Sequence, residues 1–206
     1  MDERVRTVEA GYDALAPRYL AWTEAIEGDP TGRFLDELSA RLPAGARVLD
    51  LGCGAGRASK LLERFEVVGV DVSQEQLRRA REHAPAATFV QGDFARLDFP
   101  AGSFDAVVAL FSIIHVPRAE HAGLFGRIAR WLVPGGLFLA SLSHRGGPDA
   151  TDEWLGVPMF FSGFDAETNR RLVREAGLEL LVDELVFMRE PDPDGEVGFL
   201  WVLGRV

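Results

Sequence analysis

Val48-Leu-Asp-Leu-Gly-Cys-Gly-Ala-Gly-Arg57 is the stretch on which the fold turns. A short apolar run ends at Leu51 and passes straight into Gly52, Gly54 and Gly56, after which a helical pattern opens at Arg57. Alternate glycines remove side chains where a ligand must touch backbone. Strand, glycine loop and helix in that order predict a nucleotide-type site at the carboxyl end of a buried strand. The plain alternative is a tight strand-to-helix turn, which a lone Gly-x-Gly would also satisfy.

Spacing argues against a dinucleotide. The pyrophosphate fingerprint is G-x-G-x-x-G, and counted from Gly52 its last glycine falls on Arg57. Asp50 stands beside the loop, where a carboxylate repels a pyrophosphate and attracts an ammonium. The predicted ligand carries positive charge.

Working outward, apolar periodicity assigns strands to residues 47–51, 67–70, 87–91, 104–110 and 137–142, and helices to 57–64, 74–83 and 118–132. Short apolar strands separated by helices predict an α/β fold with a mostly parallel sheet covered on both faces. Upstream, residues 5–26 read as a helix through Val8, Tyr12, Leu15 and Tyr19, with Pro17 expected to break or kink it. Gly28-Asp-Pro-Thr-Gly32 reads as a turn before a helix striped by Phe34, Leu35, Leu38 and Leu42. Downstream, residues 144–152 read as a loop and 165–176 as a helix, capped by Asp165 and followed by Gly177. Strands at 178–188 and 197–203, joined through Pro191-Asp-Pro-Asp-Gly195, predict an antiparallel hairpin. A chain of 206 residues suits one α/β domain, residues 1–206.

Composition narrows the function classes. A net charge of -10 disfavours a nucleic-acid partner, whose binding relies on lysine and arginine replacing counterions. Lys60 is the only lysine, so a catalytic lysine would have to be that one. Cys53 alone forms no internal disulfide and no thiolate metal cluster, which suits a reducing cytosol. The opening Met1-Asp-Glu-Arg4 is charged and no apolar run reaches the roughly 20 residues of a membrane span, so a cytoplasmic protein without a membrane partner is expected.

Two further strand ends carry acids. Asp71 closes Val67-Val-Gly-Val-Asp71, the position from which a carboxylate accepts ribose hydroxyls. Its alternative is to cap the helix at 74–83, a task Ser73 also suits. After the third strand, Asp93 suits an adenine amino group and Phe94 its ring.

Together these segments resemble the class I S-adenosylmethionine-dependent methyltransferases, from about Tyr12 through Val206. Asp50-Leu-Gly-Cys-Gly-Ala-Gly56 is similar to the family's first motif, Val70-Asp-Val-Ser73 to its acidic second strand end and Gly92-Asp-Phe94 to its adenine-contacting segment. Phe104-Asp-Ala-Val-Val-Ala-Leu-Phe111 is similar to the fourth motif and Leu132-Val-Pro-Gly-Gly-Leu137 to the turn before the fifth strand. The resemblance implies a Rossmann-like seven-stranded sheet, mostly parallel, ending in an antiparallel hairpin. It implies S-adenosyl-L-methionine as cofactor, contacted by Tyr19, Asp50, Gly52, Cys53, Gly54, Asp71, Val72, Asp93, Phe94 and Leu110. It also implies a helical lid over residues 1–44 and methyl transfer by in-line displacement to a small molecule.

Tyr12-Asp13, Ala16 and Tyr19 resemble the opening of small-molecule members, where a tyrosine closes over the sulfonium. The alternative places both tyrosines in the core of an amphipathic helix. Should the acceptor need a base, His115 and His144 follow the fourth and fifth strands, at the sheet edge where such folds bind ligands. The resemblance favours a pocket-wall role for His115, and a solvated loop position is the alternative for His144. His83 and His121 have no partner at metal-ligand spacing.

The insertion 144–164 supplies the acceptor side: Arg145 suits a carboxylate or phosphate, and Trp154, Met159, Phe160, Phe161 and Phe164 suit an organic acceptor, which Tyr12 is also expected to contact. The alternative is a minor core under the lid. A monomer or homodimer with a small-molecule partner is expected. A second reading is an S-adenosylmethionine sensor or inactive partner subunit without turnover, and a third, NAD-dependent oxidation, is disfavoured by Arg57.

Overall fold

A computed structural model describes residues 2–191 and 194–206. Two helices come first, α1 (Glu3–Glu24) and α2 (Thr31–Arg41), followed by β1 (Arg47–Leu51), α3 (Arg57–Leu61), β2 (Glu66–Asp71), α4 (Gln74–His83) and β3 (Thr88–Gln91). Then come β4 (Phe104–Ala109), a 3-10 turn at Ile113–His115, α5 (Arg118–Trp131), β5 (Leu132–Ser143), β6 (Gly147–Trp154), β7 (Val157–Gly163), α6 (Ala166–Glu175), β8 (Glu179–Pro191) and β9 (Asp194–Arg205).

Seven strands form one sheet in the order β3-β2-β1-β4-β5-β9-β8, with β9 alone running antiparallel to its neighbours. The order reverses between β1 and β4, so a crevice opens at their carboxyl ends, which is where open α/β sheets bind ligands.

Alternation along the strands builds two cores. Leu49, Val107, Phe138, Ala140 and Val202 face α5 and α6, meeting Phe125, Ile128, Trp131 and Val173. Val48, Ala106, Val108, Leu139 and Trp201 face the other way, onto Phe34, Leu35 and Leu38 of α2 and Ala58 of α3. Phe34 and Trp201 stack with ring centroids 4.6 Å apart. Such apolar runs on both sides are the reason these strands read from sequence as continuous rather than alternating.

Three expectations are corrected. α1 continues through Pro17 instead of breaking there. Leu15 and Ala16, immediately before the proline, are buried, and the helix lies against β7 and α4. That packing outweighs the lost backbone hydrogen bond, about 3 kcal/mol in an unsupported helix. Residues 144–152, expected to be a loop, are mostly strand: β6 pairs antiparallel with β7 across a two-residue turn at Leu155 and Gly156. Both turn residues have positive φ, 50° and 76°, the backbone a tight hairpin requires, and a leucine there gives no turn signal. The helix expected over 57–64 stops at Leu61. Of the expected turn Pro191-Asp-Pro-Asp-Gly195, Asp192 and Pro193 lie outside the described residues, while the β8–β9 pairing around it forms as expected. Among the described residues no helix is long and apolar enough to cross a membrane.

Truncating Phe34 to alanine removes a fully buried ring from the α2 face. The expected loss is about 3–5 kcal/mol of unfolding free energy, read by urea denaturation, with far-UV dichroism of the folded state unchanged.

Candidate active site

The glycine loop is held by the end of β2. Val70 O accepts the N–H groups of Gly52 (2.7 Å) and Cys53 (3.1 Å), and the Asp71 carboxylate accepts the N–H of Gly54 (2.8 Å). Gly52 has φ 71°, and a Cβ there would stand 2.3 Å from Ser112 Cβ. Ser112 is itself fixed, its hydroxyl donating to Leu51 O at 2.7 Å. Gly54, at φ 52°, meets nothing within 4 Å of where a Cβ would stand, so its loop surface borders open space. Phe111 adds a non-glycine residue at φ 55° just past β4, its N–H bonded to Ser141 Oγ at 2.7 Å. Strained backbone of this kind collects where a ligand is held.

Two acids border the loop. Asp50 is buried and accepts from Ser59 Oγ at 2.7 Å. Asp71 is buried and accepts from Ser73 N at 2.9 Å as well as from Gly54. Ser73 caps α4, its Oγ accepting from Gln76 N at 3.0 Å, so Asp71 is not spent as that cap. Burial pushes each carboxyl up to about 6. Neither has an ion-pair partner among the described residues. Burial likewise pushes the Cys53 thiol up, which makes it a packing group rather than a nucleophile.

A cavity of about 470 Å³ opens over the loop. It is lined by Tyr12, Tyr19, Asp50, Gly52, Cys53, Gly54, Leu110, His115, His144, Arg145 and Trp154 among the residues singled out in the sequence. A second recess, about 370 Å³, is lined by Val72 and Asp93 with Val5, Glu9 and Gln91. Asp71 links the two, bonded to Gly54 of the first and next to Val72 of the second. Phe94 lines neither: it is buried in the core, 3.5 Å from where a Gly52 Cβ would stand. Met159 and Phe160 are also turned away. Met159 packs against Gly11 of α1, and Phe160 contributes its carbonyl to His115, while Phe161, next along β7, reaches the cavity.

Both histidines have their ring nitrogens engaged. His115 Nδ1 lies 2.7 Å from Phe160 O, an acceptor only, so Nδ1 carries the proton; Nε2 then accepts from the Tyr12 hydroxyl at 2.8 Å. Burial holds His115 down at about 4, so the ring is neutral at ordinary pH. His144 Nδ1 donates to Gly198 O (2.7 Å) and its Nε2 accepts from Arg145 Nε (3.1 Å).

α1 roofs the site from end to end. Arg4 forms an ion pair with Asp93 (2.7 Å) and donates to His115 O (3.1 Å), while Asp13 accepts from Ser73 Oγ (2.5 Å) and Glu75 N (3.2 Å). Further along, Trp22, Thr23 and Ile26 reach the cavity, and Asp29 ion-pairs with Arg57 on its wall. Arg4, Asp29, Trp22, and Glu190 from β8 carried no motif in the sequence; only Arg57, standing where a dinucleotide loop has glycine, gave a signal. Among the described residues no group of His, Cys, Asp and Glu is arranged to hold a metal.

A family model described as a methyltransferase domain matches residues 48–136, the span from β1 to the turn inside β5. An uncharacterized methyltransferase of Synechocystis sp. is 34% identical over 145 residues, 69% of this chain and 67% of that one. The sterol 24-C-methyltransferase of Eremothecium gossypii is 30% identical over 166 residues, 70% of this chain but 43% of that enzyme, so the chain spans under half of its length. Among solved structures, a SAM-dependent methyltransferase of Methanosarcina mazei superposes with TM-score 0.71 at 19% identity, covering 82% of this chain and 96% of that one.

Replacing Gly52 by alanine forces a left-handed L-residue into contact with Ser112. The expected cost is at least about 2 kcal/mol of stability, read by thermal or urea unfolding. Gly54→Ala, with open space around it, should lose only the part due to its positive φ, about 1 kcal/mol.

Proposed function

Because this chain belongs to the class I S-adenosylmethionine-dependent methyltransferases, we propose that it binds S-adenosyl-L-methionine across the tips of β1, β2 and β3 and methylates a small molecule held in the 470 Å³ cavity. One observation carries the reading: Asp50 and Asp71, buried beside a glycine loop that faces open space, have no cation to neutralise them among the described residues. Burying a carboxylate without a partner is costly, and both have shifted toward neutrality as a result. A ligand that brings an ammonium, a sulfonium and ribose hydroxyls supplies the missing partners.

The residues divide the ligand between them. Asp50 suits the amino group, and Gly52, Cys53 and Gly54 offer bare backbone to the amino-acid portion. Asp71 keeps lone pairs free beyond its two N–H bonds and suits the ribose hydroxyls. Val72 and Asp93 line the recess suited to adenine, with Asp93 oriented by Arg4. Phe94 acts indirectly, backing Gly52. Leu110, Tyr12 and Tyr19 wall the end where the sulfonium would lie. Bound there, the cofactor supplies an electrophilic methyl group whose sulfur leaves as a neutral thioether.

The chain's own contribution is positioning and exclusion of water. Neither histidine presents a free ring nitrogen to the cavity. His115 is read as a positioning residue that fixes the Tyr12 hydroxyl as a donor. Burial holds the Tyr19 hydroxyl up at about 12, so it also stays neutral. α1 is read as the lid and the β6–β7 hairpin as the acceptor-side wall, through Trp154 and Phe161.

Calorimetry with S-adenosylmethionine and S-adenosylhomocysteine tests the binding half, and acceptor-dependent release of S-adenosylhomocysteine tests turnover. Asp71→Asn should weaken cofactor binding by about tenfold or more, equivalent to at least about 1.4 kcal/mol. Absence of cofactor binding by the native chain would overturn the reading.

The pH dependence has a defined sign. Both carboxyls sit at about 6 in the free protein, and a cationic ligand binds their ionised forms. Affinity should therefore be complete well above pH 6 and fall below it, by up to about tenfold per pH unit for each carboxylate that must ionise. A titration calorimetry series between pH 5 and 8 reads this slope.

A further inference from the structure

Charge around the cavity is unevenly matched. Arg57 is neutralised by Asp29, which is itself bonded to Thr31 N (2.9 Å) and Thr31 Oγ1 (2.6 Å). His144 Nε2 accepts from Arg145, which lies toward solvent. Besides Asp50, two carboxylates remain, Glu190 and Glu196, both lining the same cavity. Glu196 is exposed, whereas Glu190, at the end of β8, is half-buried, and among the described residues its side chain has neither a hydrogen bond nor an ion pair. Burial alone acts on it, pushing its carboxyl up.

Its position is fixed from two sides. β8 pairs with β9 through Glu190 and Gly195, and the neighbouring Arg189 is bridged to Glu27 by two backbone hydrogen bonds of 2.9 and 3.0 Å. Aromatic rings share the cavity. Tyr19 stacks on Trp22 at 5.9 Å, and Trp154 meets both nearly at right angles, 5.4 Å from Trp22 and 6.1 Å from Tyr19. Tyr19 lies within the field of the Glu190 charge. An anion without a counter-charge in a cavity shared with three electron-rich rings attracts one kind of ligand group, a cation with some apolar surface.

We propose that the methyl acceptor carries a protonated or quaternary nitrogen, drawn to the Glu190 carboxylate and lodged against Tyr19, Trp22 and Trp154. Glu190 thereby selects among acceptors. A neutral or anionic acceptor of the same shape leaves the carboxylate partly desolvated and unpaired, at a loss of affinity. The proposal concerns recognition of the acceptor's charge, and it rests on the methyltransferase reading above.

Three soluble probes of nearly equal shape test it: phenethylammonium, 2-phenylethanol and phenylacetate, titrated by calorimetry at pH 7.5 with and without S-adenosylhomocysteine. The native protein should bind the ammonium about tenfold more tightly than the alcohol and bind phenylacetate most weakly. E190Q, which keeps the side-chain shape, should bring ammonium and alcohol within about twofold while leaving S-adenosylhomocysteine affinity unchanged. Equal binding of ammonium and alcohol by the native protein overturns the proposal without reference to any variant. An ammonium preference that survives in E190Q overturns it too. Retained S-adenosylhomocysteine binding in either case leaves the methyltransferase reading standing, whereas its absence from the native protein would mark failure of that reading instead.

Discussion

Everything at this site depends on how β2 grips the loop leaving β1. Three successive loop features end on two residues: Gly52 and Cys53 donate to Val70 O, and Gly54 donates to Asp71. The grip forces left-handed backbone at Gly52 and Gly54 and presses Gly52 against Ser112 at the end of β4. Three strands, β1, β2 and β4, thus meet in one knot at the switch point of the sheet. A buried carboxylate is the price of the arrangement, since Asp71 must lie inside to reach Gly54. The same burial that anchors the loop leaves Asp71 in want of further partners, and that links the fold's geometry to the ligand's chemistry.

The roof follows from the knot. α1 is not attached to the sheet by a continuous apolar stripe; its hold is distributed between ionic and hydrogen-bonded contacts at each end and a small aromatic and aliphatic cluster of Val8, Leu15, Met159 and Phe160 between them. Asp13 reaches the cap of α4, whose Ser73 also donates to Asp71. Arg4 reaches Asp93 at the tip beyond β3. Two polar contacts of the helix, those of Asp13 and Arg4, therefore end on, or beside, an acid at the strand tips. Helices held in this way open at lower cost than helices sunk into a core, because polar contacts can be exchanged for water.

Legibility in the sequence divided along the same line. The sheet, its strand ends, the acids at those ends and the C-terminal hairpin were readable because buried strands announce themselves by apolar runs and their tips by glycine and aspartate. The roof and the far wall were not. Pro17 argued for a break that packing against β7 overrides, and Leu155 concealed a hairpin turn that only its backbone angles reveal. Met159, Phe160 and Phe161 all read as acceptor contacts by residue type, yet Met159 seats against Gly11 and only Phe161 of the three reaches the cavity. Glu190 lies 140 residues from Asp50 in sequence, and nothing in its neighbourhood marks it until β8 closes the cavity. Local patterns report local structure; a wall assembled from α1, β7, β8 and β9 has no local pattern.

The arrangement of the two histidines fits this division of labour. A general base needs a lone pair directed at the acceptor, but His115 directs its lone pair at Tyr12 and His144 at Arg145. Depressing His115 to about 4 keeps it neutral throughout, so it can hold a phenol in one orientation without adding charge to a cavity whose acids already lack partners. A protonated imidazole in that position would repel a sulfonium at the tyrosine wall. Displacement at a methyl group asks for alignment and a dry path, and a buried neutral histidine behind a tyrosine serves both.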